Sequence, residues 1–353
     1  MRVLHFAETL YGGTGTYLNE VLGLQSNAYQ RVVVLCPEDQ RHLIDSAGVE
    51  VVGIQGGGRT LSGLVALANG WRHHLRSTAY DVVHLHSSFA GAIGRLVTRP
   101  AARLVYCAHG WAFAGEAGRR GALLYALAER ALALSTDAIV NISESETRLA
   151  ASWGLPGARC VQVANGLRDA ACTPLPPNRK AKALLFVGRY DRQKGLDLLL
   201  EAMPMLAEDG FTLTMIGGNV IGHSVRPEAL PAGVIDRGWQ TGEDIQQAMA
   251  AADAVIVPSR WEGFGLVAVE AMRAGRPVVC SDVGGLPELV EDGVTGLVAR
   301  PESRSLAETI RRLRQYDLAE MGVRAREKFE SAYRAERVFA QLDAIYRNGV
   351  SRP

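Results

Sequence analysis

Val257-Pro258-Ser259-Arg260-Trp261-Glu262-Gly263-Phe264-Gly265-Leu266-Val267-Ala268-Val269-Glu270-Ala271-Met272-Arg273-Ala274-Gly275 is the stretch around which the chain is organised. It continues a short β-branched run, Ala254-Val255-Ile256-Val257, that reads as a buried strand. A proline and a glycine-rich turn follow, and a helix opens just after Gly265. Strand, glycine turn and helix N-terminus together make an anion site, because unpaired backbone N–H groups and the helix dipole point into the turn. Two carboxylates sit on the element, Glu262 in the turn and Glu270 in the helix. Glu270 stands among Val267, Ala268, Val269, Ala271 and Met272, so it either faces solvent or is kept there to bind something.

At 353 residues the chain can form two domains of ordinary size, each with its own core. Hydrophobic content of 48% against 21% charge is that of a globular protein, and a formal net charge of +1 gives no global field for nucleic acid. The basic residues are nearly all arginine, which reads first as genomic composition. Cys36, Cys107, Cys160, Cys172 and Cys280 are scattered with no Cys-x-x-Cys pair, so inert thiols in a reducing cytosol are expected rather than disulfides or zinc. Residues 1–10 read as a strand and not as a signal peptide, and no apolar run approaches the roughly 18 residues of a membrane span.

The chain opens on the strand Val3-Leu4-His5-Phe6-Ala7, the turn Tyr11-Gly12-Gly13-Thr14-Gly15-Thr16 and a helix around Tyr17–Leu24. This turn lacks the Gly-x-Gly-x-x-Gly order of a dinucleotide site, which leaves phosphate contact and plain chain reversal both open. Arg31–Cys36 and Val49–Ile54 are further strands, and Thr60–Arg76 has a helical pattern. In the strand near Tyr80–Ser88, His84 and His86 point to one side. Two such histidines could ligate a metal, but with no third ligand nearby they read as cleft-lining groups and no metal site is expected. His109-Gly110 closes the strand Arg103–Ala108, at the edge where open α/β sheets hold ligands. Ala138–Ile142 leads into Ser143 and Glu146, which fit a capping box, and Val161–Ala164 ends in a tight turn at Asn165-Gly166.

Residues 169–182 are rich in proline and charge and read as the linker. The pattern then restarts: strand Ala183–Val187, turn Gly188-Arg189, helix Leu196–Leu206 opened by Lys194-Gly195, and strand Phe211–Ile216 ending in Gly217-Gly218. Val234-Ile235, the turn Gly238-Trp239 and the helix Glu243–Ala252 lead to the opening element. Pro277–Ser281, Gly284-Gly285, a helix begun by Pro287 and amphipathic helices from Ser305 complete the chain. Strand–helix alternation with a linker midway predicts two doubly wound parallel-sheet α/β domains, residues 1–170 and 183–330 joined by 171–182, with a last helix (about 331–353) that packs back on the first.

Arg189 with Lys194-Gly195, then Glu262-Gly263-Phe264-Gly265 and Glu270, resembles the retaining glycosyltransferases of family 4, whose GT-B fold has two Rossmann-like domains facing a central cleft. Gly12-Gly13-Thr14-Gly15, His109-Gly110, Asn165-Gly166 and Gly284-Gly285 fall in the family's order, so the likeness covers nearly the whole chain. It implies a nucleotide-sugar donor on the second domain, with Arg189 and Lys194 on the diphosphate, Glu270 on the ribose hydroxyls and Glu262 on the donor sugar. Backbone N–H groups of Phe264, Gly265 and Leu266 would bind phosphate or sugar oxygens, and base contacts would be backbone ones near Gly217 and Arg237-Gly238. Gly13 would let backbone approach the diphosphate, and His109 would hydrogen-bond the transferred sugar. Two fixed cations can neutralise a departing nucleoside diphosphate, and the sequence has no Asp-x-Asp to present a metal, so neither metal nor cofactor is expected.

The resemblance implies hexose transfer from a UDP- or GDP-sugar to a glycan, with a lipid-linked oligosaccharide as the acceptor by analogy. A nucleotide-sugar epimerase or a phosphorylase would share the architecture, and a non-catalytic partner subunit is the third reading; the intact polar set argues against all of these. A cytoplasmic location is expected, and Arg95, Arg99, Arg103, Arg119 and Arg120, with Trp111 and Phe113 among them, could touch anionic lipid at the inner membrane face or form a solvated arginine face.

Overall fold

The computed structural model describes residues 1–97, 101–114, 118–171, 175–176, 179–219 and 225–350, so Arg99 and Cys172 lie outside the described residues. The chain divides into two units, 1–168 with 335–353 and 169–334. In the first, β1 (Arg2–Ala7), α1 (Gly13–Ala28), β2 (Arg31–Pro37), β3 (Glu50–Ile54), α2 (Leu61–Ser77), β4 (Val82–His86) and α3 (Ser88–Leu96) are followed by β5 (Arg103–Cys107), α4 (Gly118–Ala133), β6 (Ala138–Asn141), α5 (Glu144–Ser152) and β7 (Cys160–Gln162). The seven strands pair in parallel in the order β3-β2-β1-β4-β5-β6-β7. The apolar runs of β1, β2, β4, β5 and β6 are buried on both faces, as a sheet covered by crossover helices requires.

The second unit repeats the scheme: β8 (Ala183–Arg189), α6 (Leu196–Ala207), β9 (Thr212–Gly218), β10 (Val234–Asp236), α7 (Gly242–Ala251), β11 (Ala254–Val257), α8 (Leu266–Arg273), β12 (Val278–Ser281), α9 (Leu286–Leu289), β13 (Gly296–Ala299), α10 (Ser303–Arg312) and α11 (Leu318–Ala332). Its six parallel strands run β10-β9-β8-β11-β12-β13. The last helix, α12 (Ala335–Asn348), belongs to the first unit. There the Tyr29 hydroxyl donates to Asp343 at 2.8 Å, and Tyr346 meets His84. Both sheets are therefore doubly wound. The order reverses between β1 and β4 in one and between β8 and β11 in the other, which is where such sheets open a crevice at their C-terminal edge.

Several local expectations are corrected. β8 runs through Gly188 and Arg189, because both residues stay paired with Gly217 and Gly218. β13 carries a weak four-residue signal, Gly-Leu-Val-Ala, and was not expected. Asn165-Gly166 makes no tight turn, and Asn165 is buried. The Ser143 hydroxyl accepts from Glu146 N–H, but the Glu146 carboxylate accepts from Ile142 N–H, one residue short of a capping box; the full box is Thr241 with Asp244 on α7. The proline-rich stretch is not a free linker in its described part. Leu175 and Ala181 enter the second core, and buried Asp253 accepts from Arg179 Nε at 2.6 Å and from the amides of Lys182 and Ala183 at 2.8 Å.

Arg276 shows how the second unit fixes its helix ends. It is 1% exposed, and its guanidinium donates to the carbonyls of Met249, Ala250, Ala274 and Gly275 at 2.6–3.1 Å. These carbonyls lie in the last turn of α7 and just past α8, where unpaired acceptors and the negative dipole ends collect. Replacing the cation by Arg276→Met should lower unfolding free energy by about 2–4 kcal/mol. Urea titration checks this; a midpoint equal to wild type would mean that water replaces the guanidinium.

Candidate functional site

In the second unit the site grows from the ends of β8 and β11. Arg189 is the last residue of β8, and its Nε donates to Asp191 Oδ2 at 2.6 Å while Nη2 donates to Gln193 Oε1 at 2.6 Å. Asp191 Oδ1 in turn accepts from Lys194 N–H at 3.1 Å, so the short loop is closed by its own side chains. Gly195 then starts α6 in the left-handed region (φ 67), and a Cβ there would lie 1.9 Å from Pro258 O. That close approach brings Lys194 against the opening element: Lys194 Nζ donates to Glu262 Oε2 at 2.6 Å, with the Ser259 hydroxyl on the same oxygen at 3.2 Å. Below this pair Arg260 makes a bidentate bridge to Asp197 at 2.7 and 2.6 Å. Burial works against the Asp197 charge, but hydrogen bonding from Arg260 and its attraction hold the carboxyl below the usual range.

The glycine turn is crowded from the other side by the loop after β12. Gly284 (φ 55) has no room for a Cβ, which would lie 1.7 Å from Glu262 O. Gly265 (φ 107) caps α8, and Phe264 is buried with its ring edge-on to Tyr333, so Phe264 and Gly265 offer a ligand backbone only. Leu266, Val267 and Glu270 stay partly exposed while Ala268, Val269, Ala271 and Met272 are buried, which puts Glu270 on the open strip of the helix. At the end of β9, Gly217 N–H donates to Gly238 O at 2.9 Å, Gly218 lies against the Trp239 indole, and Arg237 is exposed. The structure thus gathers Arg189, Lys194, Glu262, Phe264, Gly265 and Leu266, with Glu270 on the helix they open and Gly217 and Arg237 on neighbouring strand ends. Asp191, Gln193 and Ser259 also belong to the polar set and were not singled out; Asp191 stands two residues from Arg189, the one sequence cue available.

The first unit carries Gly13 and His109. Gly13 is exposed in the first turn of α1, after Gly12 in the left-handed region (φ 75). His109 is partly exposed and also left-handed (φ 51), a conformation that costs a non-glycine residue about 1–2 kcal/mol. Behind it lies a cluster that overturns the expectation that His84 and His86 have no third histidine nearby. His5 pairs in register with His84 across β1 and β4, so His5, His84 and His86 share one face, with ligating nitrogens within 4.8 Å of one another. His86 Nδ1 meets His109 Nε2 at 2.9 Å, His86 Nε2 meets His5 Nδ1 at 2.9 Å, and His5 Nε2 meets Gln25 Oε1 at 2.7 Å. His84 Nδ1 is 2.6 Å from the Tyr346 hydroxyl. Beside them Glu8, buried at the end of β1, accepts from Ala90 N–H and Arg59, and burial pushes its carboxyl up.

The arginine patch is corrected as well. Arg95 is buried, 2.8 Å from Glu129 and stacked over Tyr106; Arg103 donates to the carbonyls of Ile345 and Tyr346. Trp111 and Phe113 belong to the core. Of the described members only Arg119 and Arg120 stand free of such a structural role, exposed in the first turn of α4. Among the described residues no helix is long and apolar enough to cross a membrane.

Burial holds His5 and His109 down to about 4, and pushes His84 and His86 well below the ordinary histidine range. The folded state therefore binds fewer protons than the unfolded chain between pH 6.5 and about 4. Its stability is full above pH 6.5 and falls as pH drops through that window, by about 1.4 kcal/mol per unit for each group. Urea midpoints at pH 7 and pH 5 measure this, and His5→Gln should reduce the slope by about one proton. A flat profile would mean that the cluster charges without unfolding.

The comparisons with known proteins fall on both units. Residues 12–166 match the glycosyl transferase 4-like domain and residues 181–315 the group 1 glycosyl transferases. The chain is 33% identical over 317 residues to an uncharacterized 41.2 kDa protein in the cps region of Klebsiella pneumoniae, covering 86% of this chain and 87% of that one. Its fold is similar to sucrose-phosphate synthase from Thermosynechococcus elongatus, with a TM-score of 0.82, 21% identity and 98% of each chain covered. It is similar also to Anabaena HepE in complex with UDP and glucose, with a TM-score of 0.81, 20% identity and 99% and 100% of the two chains covered.

Proposed function

The chain belongs to the group 1 glycosyltransferases, and on that premise we propose that it moves a hexose, with retention, from a UDP- or GDP-sugar to a glycan acceptor. The observation that carries this reading is the set of Arg189, Lys194 and Glu262 at the switch point of the second sheet. Both cations are held 2.6 Å from a carboxylate, Arg189 by Asp191 and Lys194 by Glu262. A nucleoside diphosphate offers them oxygens of higher charge, so donor binding exchanges partners around positions already fixed. Glu270 is assigned to the ribose, the first amides of α8 to phosphate or sugar oxygens, and the strand ends at Gly217 and Arg237-Gly238 to the base. HepE, a neighbour in fold, is known with UDP and glucose bound, which supports a uridine donor.

In the proposed step the bond from the anomeric carbon to the diphosphate oxygen breaks and the acceptor oxygen bonds on the same face. The acceptor proton passes to the leaving phosphate oxygen, and Arg189 and Lys194 take up the charge in place of a metal ion. Glu262, released from Lys194, faces the positive charge that develops on the sugar, and His109 hydrogen-bonds a sugar hydroxyl. A glycan, lipid-linked and built toward exopolysaccharide, capsule or lipopolysaccharide, is the acceptor class we favour; the relative in the Klebsiella pneumoniae cps region supports it.

A lipid-linked acceptor needs an enzyme that reaches the membrane from the cytoplasmic side, and α4 has the chemistry for it. Leu123, Leu124 and Leu127 are exposed along it and Leu134 follows, 49–71% open, with Tyr125 beside them. Arg119 and Arg120 occupy the first turn, where the helix dipole disfavours cations, so an anionic surface is the better partner for them.

Thermal-shift screening across UDP, GDP and ADP sugars identifies the donor, and Lys194→Ala should abolish donor hydrolysis by the purified protein. Hydrolysis that survives this change would remove Lys194 from the mechanism. Glu262→Gln frees Lys194 from its carboxylate, so UDP affinity should rise about fivefold, on the order of 1 kcal/mol, while turnover falls. Weaker UDP binding by this variant would place Glu262 on the nucleotide instead. Leu124→Glu with Leu127→Glu should abolish co-sedimentation with anionic liposomes and leave UDP binding unchanged; equal sedimentation would exclude α4 as the docking face.

A further inference from the structure

We propose that Gln25, His5 and His86 form a relay that fixes the tautomer of His109, so that His109 presents the lone pair of Nδ1 to a hydroxyl of the bound carbohydrate. The argument is a proton count. A neutral imidazole carries one N–H and one lone pair, and His5, His86 and His109 are all held below the ordinary histidine range and stay neutral at pH 7. Gln25 Oε1 can only accept, so the proton of His5 lies on Nε2, 2.7 Å away. His5 Nδ1 is then a lone pair, and His86 must bring the proton to their 2.9 Å contact on its Nε2. His86 Nδ1 is left as the acceptor, and His109 must donate from Nε2 across the next 2.9 Å. What remains on His109 is an unprotonated Nδ1 with no partner among the described residues, on a residue that is partly exposed at the C-terminal edge of the sheet.

Each link is held in place by the fold. Gln25, His5 and His86 have no exposed surface, and the rings meet edge to edge and nearly coplanar, with centroids 5.2 Å apart from His5 to His86 and 5.2 Å from His86 to His109. The Gln25 amide nitrogen is buried without a hydrogen-bond partner, and Oε1 is the atom that meets His5. The left-handed backbone at His109 is the strain accepted where Nε2 is brought back to His86. The same cluster can be read as a three-histidine metal site, His5, His84 and His86. In this arrangement His5 Nδ1 and His86 Nε2 face each other at 2.9 Å, a hydrogen-bond contact that places a proton on one of them.

The consequence for recognition rests on the transferase reading: a sugar must offer His109 an O–H donor, and a deoxy or methylated analogue at that hydroxyl leaves a lone pair unmet. Gln25, His5 and His86 act through His109 and are positioning residues. The tautomer itself is read without any activity, from imidazole nitrogen-15 shifts of the intact wild-type protein. His109 should show a protonated Nε2 and a pyridine-type Nδ1; the reverse tautomer overturns the relay, as does a stoichiometric metal found in the purified protein. Gln25→Leu should scramble the His109 tautomer and lower kcat about tenfold at nearly constant KM, the worth of one hydrogen bond. Gln25→Glu, which keeps an acceptor at the same point, should restore both. A correct tautomer in a protein that binds no nucleotide sugar would refute the transferase reading and leave the relay standing.

Discussion

Close backbone packing around Glu262 is the constraint on which the second unit's site depends. The carbonyl oxygens of Pro258 and Glu262 occupy the places where Gly195 and Gly284 would carry a Cβ, at 1.9 and 1.7 Å. No side chain larger than hydrogen fits at either position, and both glycines are left-handed. This packing is what sets Lys194 on Glu262 and keeps the end of β8 beside the turn after β11. The cations and carboxylates are thus fixed by main chain, and their mutual ion pairs are a resting arrangement that an anion can replace.

The two sheets were legible because parallel strands buried on both faces read as uninterrupted β-branched runs, and Ala254–Val257 and Val3–Ala7 are of that kind. β13 was not, since a four-residue strand led by glycine looks like the loop around it. The limits of Gly188-Arg189 and Asn165-Gly166 were misread for a related reason: glycine marks a bend or a close approach, and only the neighbouring strand decides which. At Gly188 the neighbour is Gly217, and the strand continues.

The polar set of the second unit was legible as a spacing along the chain, because Arg189 ends a strand, Lys194 stands just before a helix, Glu262 lies in a glycine turn and Glu270 lies in the helix that the turn opens. Asp191 and Ser259 were not, as short polar residues in loops carry no pattern of their own. The histidine cluster was hidden more deeply. His84 and His86 were visible as a pair, but His5 joins them only through the register of β1 on β4, and sequence order does not say that strands one and four are neighbours. The arginine patch failed through burial: a guanidinium stacked over Tyr106 and paired with Glu129 looks in sequence like one in water.

The return of α12 to the first unit has a consequence for the order in which the chain is made. Tyr346, which closes on His84, leaves the ribosome only after every residue of the second unit has been synthesised. The second unit, continuous from Asp169 to Arg334, can complete its core first, while the first waits with one flank of its sheet open. During that interval His84 lacks the Tyr346 hydroxyl that meets it in the finished fold. The arrival of the final helix is therefore the event that covers the His84 ring, which burial keeps neutral in the finished unit.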